Sequence, residues 1–385
     1  ILIYYKYLDF LVTNLIAFIP RLGFMIDYLS SKGQPLGLSF ITFTSISYLV
    51  DIYREKRTGA NLLEFLNYLT FFPKVISGPI VRLKDFNYLG SHFPDVSYGL
   101  FRFIIGLSKK TILAYYLGLS TNLIWDQLVY GIDVPTAWIG AISYTLQIYF
   151  DFSGYSDMAI GASRMLGYPL EENFNFPYIS TSIGEFWKRW HISLGAWFRT
   201  YLYYPLGGSK RGKTAINLLL VFLASGIWHG SNWTFVVWGA WHGLIRVAEK
   251  RMESTRGYRA IPGVIKWSVT MLAVVLGWVI FRSSDIVQAK QYIGIMFGAH
   301  QSPAPQIIFT WKYFLNNRTV IILLVSLLSS TLLGKTKFVY RIEKADHESG
   351  WAVSLLITVL LLILVIANIM MIVSSEHSPF IYFQF

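Results

Sequence analysis

Long apolar runs separated by short polar and basic stretches make up most of the chain, and the length of those runs decides the first question. A helix needs about 20 apolar residues to cross the hydrocarbon core of a bilayer. Runs of that length therefore predict membrane helices, not the core helices of a water-soluble domain. Residues 1–20 form one such run, interrupted by Lys6 and Asp9, and residues 36–53 form a second, closed by Arg54-Glu55-Lys56-Arg57. Residues 62–81 form a third, broken at Pro73 and at Gly78-Pro79, where a missing backbone N–H demands local repair. Residues 99–124 enclose Lys109-Lys110, a pair too costly for a simple span, which predicts a tilted, interfacial or re-entrant element. Residues 136–166 are long enough for two elements joined near 151–154. Further runs cover 214–227, 233–247, 264–281, 320–333 and 351–373.

The pattern predicts an all-α, polytopic membrane protein of about ten or eleven hydrophobic helices, forming a single transmembrane domain over residues 1–385. One segment departs from it. Residues 171–213 are aromatic and basic together, too charged to span, and are expected to form an interfacial or re-entrant part of that domain. The chain opens on Ile1 without a methionine, so further residues are expected upstream.

Composition agrees with the pattern. Of the 385 residues, 54% are hydrophobic and 14% charged, with mean hydropathy +0.47, against about 25% charged residues in soluble domains. The net charge of +12 would suit nucleic acid, but the basic residues cluster in short loops at 54–57, 210–213, 246–259 and 335–344. That is the distribution of cytoplasmic loops, so the charge implies membrane orientation and no nucleic-acid partner. Cysteine is absent, which excludes disulfides, thiolate-held metals and a cysteine nucleophile. No Gly-x-Ser-x-Gly elbow and no common phosphate-binding glycine loop occurs. A bacterial inner membrane is the expected location.

Among the seven histidines, His92, His300, His347 and His377 lie in polar stretches and read as solvated. His229 is different, because it ends the apolar run that closes with Ser225-Gly226-Ile227-Trp228. An imidazole at such a place is kept neutral by the cost of burying charge, which is the state a general base needs, although hydrogen-bonded helix glue explains it too. His242, in Trp241-His242-Gly243, would face away from His229 on a shared helix and reads as packing. His191 follows Ser182-Ile183-Gly184-Glu185, a capping-box pattern that starts a helix and puts Trp187 and His191 on one face. An interfacial aromatic belt is the competing reading there. Asp151 and Asp157 read as partners for an arginine or as caps. A metal site is not expected, since no histidine stands at ligand spacing.

Several segments carry a resemblance together: Gln147-Ile148-Tyr149-Phe150-Asp151-Phe152-Ser153-Gly154-Tyr155-Ser156-Asp157-Met158-Ala159, Phe186-Trp187-Lys188-Arg189-Trp190-His191-Ile192-Ser193-Leu194, Tyr201-Leu202-Tyr203-Tyr204-Pro205-Leu206-Gly207-Gly208 and Gly226-Ile227-Trp228-His229-Gly230-Ser231-Asn232-Trp233. Pro35-Leu36-Gly37-Leu38-Ser39-Phe40 and the terminal Phe380-Ile381-Tyr382-Phe383-Gln384-Phe385 add to it. From Pro35 onward the chain resembles the membrane-bound O-acyltransferase (MBOAT) family, most closely its members that O-acetylate polysaccharides such as alginate. The resemblance implies the MBOAT fold and His229 as catalytic residue. It implies that His191 orients substrate or polarises the acyl carbonyl, and that Asp151 or Asp157 matters. Trp187, Arg189, Trp190 and Asn232 are the expected supporting or substrate-binding residues.

The implied chemistry moves an acetyl group from a cytoplasmic thioester, acetyl-CoA or an acyl carrier protein, across the membrane to a cell-envelope polysaccharide. The thioester is a co-substrate, and no tightly bound cofactor is expected. The implied partner is a periplasmic or extracellular acetyltransferase of the SGNH type, with membrane lipid around the chain. D-alanyl transfer to teichoic acid by a sister branch, and a transporter of the acyl donor without chemistry, are the alternatives.

Overall fold

Apolar side chains with no water to bond the backbone drive the chain into helices, which satisfy their own N–H and C=O groups. The computed structural model describes residues 1–23, 35–55, 61–86, 93–210, 213–299, 308–335 and 351–374. These are helical with connecting turns, and no strand occurs among them. His92, His300, His347 and His377, the terminal motif at 380–385, and parts of the basic loops at 54–57, 210–213 and 335–344 lie outside the described residues.

In chain order, a π-helical turn Ile3–Tyr7 leads into α1 (Leu8–Phe18), followed by α2 (Leu38–Glu55). Then come α3 (Leu62–Thr70) and the short α4 (Phe72–Val75). The start of α3 is a full capping box between Asn61 and Glu64, and Pro73 opens α4, so the third run breaks where its prolines predict. The ammonium of Lys74 in α4 is buried and lies 4.1 Å from the centre of the Tyr68 ring, an aromatic face in place of an oxygen.

Next, α5 (Val96–Ser108) passes through a π-helical turn, Lys109–Ala114, into α6 (Tyr115–Gln127). The long α7 (Val134–Met165) packs against all three. After it come α8 (Ile183–Arg189) and α9 (Ile192–Phe198), which ends in the π-helical turn Arg199–Tyr203. The hairpin of α10 (Thr214–His229) and α11 (Trp233–Met252) follows, then α12 (Arg256–Ala260) and α13 (Gly263–Arg282). The chain continues through α14 (Ile286–Met296), α15 (Trp311–Phe314), α16 (Asn317–Lys335) and α17 (Trp351–Ser374).

Two described helices, α13 and α17, are long and apolar enough to cross a membrane on their own. Helix α10 and residues Asn317–Thr331 are apolar but shorter. The other expected spans are helical where the pattern puts them, yet too short or too polar to qualify singly. Most large apolar side chains of α17, such as Leu355, Ile363 and Ile366, are exposed, which a lipid-facing surface explains and a water-facing one does not. Its buried Asn368 fastens it to the bundle, accepting from Thr111 Oγ1 at 2.5 Å and donating to Ser108 Oγ at 3.0 Å.

Residues 136–166, expected as two joined elements, are one uninterrupted helix. The polar residues that suggested a break are satisfied sideways. Asp157 accepts from Arg102 Nε at 3.0 Å and Nη2 at 2.8 Å and pairs with Lys109 at 2.5 Å, while Asp151 pairs with Lys110 at 2.6 Å. The same bonds explain how the Lys109-Lys110 pair is tolerated inside an apolar run. Glycines bring the helices close enough: a Cβ at Gly106 would lie 2.5 Å from the Gly154 carbonyl oxygen, and one at Gly161 would lie 2.5 Å from that of Gly99. These two contacts are two turns apart on antiparallel helices, so the backbones touch along the seam.

Three apolar clusters result among the described residues. The largest joins α7 to α8, α11 and α13 through Phe152, Phe186, Trp190, Trp238, Trp278 and Phe281. A second gathers Phe40, Phe43, Leu194, Trp197 and Trp228, and a third surrounds Tyr68, Phe71 and Phe86.

Removing one member of a buried ion cluster leaves the others uncompensated. Asp157→Leu is expected to cost about 3–5 kcal/mol, read as a lower unfolding temperature of the solubilised protein. Glu172, which also pairs with Arg102 but is half exposed, should lose far less as Glu172→Gln. Equal effects from the two variants would show that burial does not set the strength of this network.

Candidate active site

Helices α10 and α11 approach closely because glycines remove the side chains between them. A Cβ at Gly239 would lie 2.5 Å from the Phe222 carbonyl oxygen, and Gly226 faces the Phe235 carbonyl. The hairpin turns at Gly230-Ser231-Asn232, where the Asn232 side chain caps α11 by accepting from Thr234 N at 3.0 Å. His229 is therefore the last residue of α10, 6% exposed, turned into the protein. Its ring lies edge-to-face against Trp238 at 5.1 Å and Phe281 at 5.2 Å, and 4.8 Å from the ring of Trp228.

The carbonyls that end α10 are capped from the far end of the chain. Lys6 Nζ donates to the carbonyls of Trp228 at 2.8 Å and His229 at 3.0 Å, and the Tyr7 hydroxyl donates to that of Ile227 at 2.9 Å. A cation at a helix C-terminus is favourable, since it meets both the unsatisfied carbonyls and the negative end of the dipole. Lys6 is thus part of the site, where its sequence position marks only an interruption in an apolar run. The cost of a lysine in such a run was the signal available for it.

His191 reaches the site by a different route. Helix α8 is held at its start by Ser182 Oγ, which accepts from Glu185 N at 2.9 Å. It is also held by the Glu249 carboxylate of α11, which accepts from Ile183 N and Gly184 N, each at 2.8 Å. Arg246 Nη1 donates to Glu249 at 3.0 Å and to Glu253 at 2.6 Å. Beyond the end of α11, burial pushes the Glu253 carboxyl up, but Arg246 and Lys250 outweigh it and hold the group below its usual range.

Helix α8 stops at Arg189. Trp190 is extended, and His191 takes a left-handed conformation (φ 46°, ψ 55°) at the start of α9. Trp187 and His191 do not share a helix face, contrary to the four-residue spacing, because the helix breaks between them. Such a backbone is rare outside glycine, and sites that hold it are enriched in function.

The break turns His191 inward. It is 1% exposed, with Phe152 edge-on at 4.6 Å and Trp228 at 6.4 Å. His191 and His229 both meet the Trp228 ring. Trp228 belongs to the second apolar cluster; Phe152, Trp238 and Phe281 belong to the first. The two imidazoles therefore sit at the seam between the two clusters.

His242 is fully buried and ringed by Trp187 at 5.1 Å and Trp238 at 5.2 Å. It lies on α11, apart from His229, but the two share Trp238 as a neighbour. Neither His242 nitrogen has a hydrogen-bond partner among the described residues, nor have the indole N–H groups of Trp187, Trp228 and Trp238.

The remaining expected residues have other occupations. Asp151 and Asp157 hold α5 and the turn after it, as described above. Arg189 donates to Glu185 Oε1 at 3.0 Å and to the Asn175 carbonyl at 3.1 Å. Asn232, besides capping α11, donates to the Ser284 carbonyl at 2.6 Å. Trp190 packs in the large cluster between Trp278 and Phe186. Among the described residues no group of three metal-ligating side chains comes together.

Residues 22–282 match the membrane-bound O-acyltransferase family. The whole chain aligns with the probable alginate O-acetylase AlgI of Pseudomonas putida at 38% identity, over 82% of that protein. The corresponding protein of Pseudomonas syringae is 44% identical over 77% of this chain, but only 58% of its own length is spanned. A peptidoglycan O-acetyltransferase of Helicobacter pylori is 31% identical over 99% of this chain and 80% of its own.

The tightness around His242 can be tested directly. A methyl at Gly277 would lie 2.5 Å from His242 Nε2, so Gly277→Ala is expected to lower stability by about 1–3 kcal/mol. Adding His242→Ala should restore part of the loss. Unfolding of the solubilised variants measures both, and an unshifted Gly277→Ala transition would mean that free space lies beside the ring.

Proposed function

The chain belongs to the membrane-bound O-acyltransferase family, and we propose that it moves an acetyl group from a thioester to a hydroxyl in the O-acetylation of a cell-envelope polysaccharide. The pairing of two buried imidazoles across Trp228, at the seam of two apolar clusters, is the observation that carries this reading. The names of the relatives support acetyl as the group and alginate or peptidoglycan as acceptor chemistry.

In this reading His229 accepts the proton of the attacking hydroxyl as its oxygen bonds to the thioester carbonyl carbon. The tetrahedral intermediate then expels the thiolate, which takes the proton from the His229 imidazolium, leaving ester and thiol. General-base help of this kind is worth about 10²–10⁴-fold. The indoles of Trp228 and Trp238 flank His229, and their N–H groups have no hydrogen-bond partner among the described residues, so they are the donors at hand for the oxyanion. No acyl-enzyme is needed. The rings of Trp228, Trp238 and Phe281 around His229 help keep water, the competing nucleophile, away from the reacting carbonyl.

The donor is a coenzyme A or carrier-protein thioester arriving from the cytoplasm, where basic loops attract its anionic carrier. The acetyl group then passes to an SGNH-type partner or the polymer on the other face. Lys6, by capping the carbonyls of Trp228 and His229, sets the direction in which His229 presents its ring.

Purified protein given an acetyl thioester and a hydroxyl acceptor is expected to release thiol and form ester. His229→Gln should lower the rate by about 10²–10⁴-fold with an unchanged unfolding temperature. Equal rates in the two proteins would overturn the reading, and faster turnover of a D-alanyl thioester would reassign the acyl group.

A further inference from the structure

The position of one proton on His191 follows from three neighbours. Ser193 N is an obligate donor, and it lies 3.2 Å from a side-chain atom of Asn173. That atom must be the amide oxygen, because two N–H groups cannot face each other. The opposite end of the same amide, Nδ2, donates to Ser156 Oγ at 3.1 Å. The oxygen also accepts from Ser193 Oγ at 2.9 Å, and it faces His191 Nδ1 at 3.2 Å. An oxygen has no hydrogen to give, so Nδ1 carries one. The ring is buried among Phe152 and Trp228, an environment that favours the uncharged form. Nε2, on the far side of the ring from Asn173, is then a bare lone pair, and it is buried with no partner among the described residues.

We infer that Asn173 is a positioning residue that locks His191 in the Nδ1–H tautomer, so that His191 offers the site a hydrogen-bond acceptor and not a donor. The inference deepens the proposed site and rests on that reading for its catalytic meaning. It assigns His191 to hold a donor group of a substrate, the acceptor hydroxyl or an amide N–H of the thioester carrier. It also removes His191 from the set of groups that could stabilise the oxyanion.

Asn173 is built for the task. It is 0% exposed, and its backbone carbonyl also accepts from Ile192 N at 2.9 Å. Asn175 N donates to the Arg189 carbonyl at 2.9 Å, so the chain on each side of His191 is strapped to the same short stretch. Ser193 Oγ in turn accepts from Ile80 N at 3.0 Å, tying the broken third run to this centre. The left-handed backbone at His191 is what aims Nδ1 at Asn173. Second partners of this kind fix both the orientation and the tautomer of a functional histidine.

The test is nitrogen-15 NMR of histidine-labelled protein in a membrane mimetic, with His191 resonances identified by their loss in His191→Asn. The wild type should show Nδ1 protonated and Nε2 bare, and Asn173→Asp, which keeps the acceptor, should preserve that pattern. Asn173→Ala should shift it toward Nε2–H and lower turnover by about 10–100-fold, with rescue to within a few-fold by Asn173→Asp. An Nε2–H tautomer in the wild type, or loss of the pattern in Asn173→Asp, overturns the inference even where Asn173→Ala does not fold. Protein that shows the Nδ1–H pattern but transfers no acyl group overturns the proposed reaction and leaves the tautomer assignment standing.

Discussion

A polar group taken into an apolar interior must find a partner there, and this single cost organises the molecule. The cluster of Arg102, Asp157 and Lys109 is its plainest expression: two cations, neither of which would be tolerated alone, each lie within 3.0 Å of the one buried carboxylate of α7. Glycine pairs at the same seam let the helices come close enough for those bonds to form. The pairing also explains the π-helical turn at Lys109–Ala114, a local widening at the point where both lysines must reach α7.

Against that background, some of the groups that break the rule gather in one place. Among the described residues, His191 Nε2, both nitrogens of His242 and the indole N–H groups of Trp187, Trp228 and Trp238 are buried without hydrogen-bond partners. Ring contacts link these residues in one network: His191 to Trp228, Trp228 to His229, His229 to Trp238, Trp238 to His242 and His242 to Trp187. A buried region rich in donors, with at least one bare acceptor, is complementary to a ligand rich in carbonyl oxygen that also brings a hydroxyl or amide hydrogen. A thioester and an alcohol together have that character. The neighbouring anchors are all satisfied: Lys6 on the α10 carbonyls, Glu249 on the start of α8, and Asn173 on His191. Rigid supports around an unsatisfied centre are what a preorganised site requires.

Much of this was legible in the residues. Apolar runs located the helices, prolines located the break after α3, and His229 stood out because an ionisable group closed an apolar run. Other features were not. The 32 residues of α7 looked divided because Asp151 and Gly154 suggest a break when read alone. Their partners, Lys110 and Gly106, lie more than 40 residues away in the chain. Trp187 and His191 looked coaxial because helical spacing assumes a helix, and nothing local announces the left-handed turn at His191. Asn173 looked like any residue of a polar loop, and Lys6 like a flaw in a span.

Length and hydrophobic pattern by themselves determined that the chain is helical and rich in apolar elements, since backbone satisfaction in an apolar medium leaves few other choices. The same pattern put His229 at the end of an apolar run, and it lies buried there at the end of α10. Tertiary structure alone decided which polar groups pair and which are left facing inward, because those outcomes depend on residues from opposite ends of the chain. Sequence can show that a buried charge needs a partner. Only packing decides whether it gets one, and among the described residues the groups left without include His191 Nε2 and the indole N–H groups of Trp228 and Trp238 beside His229.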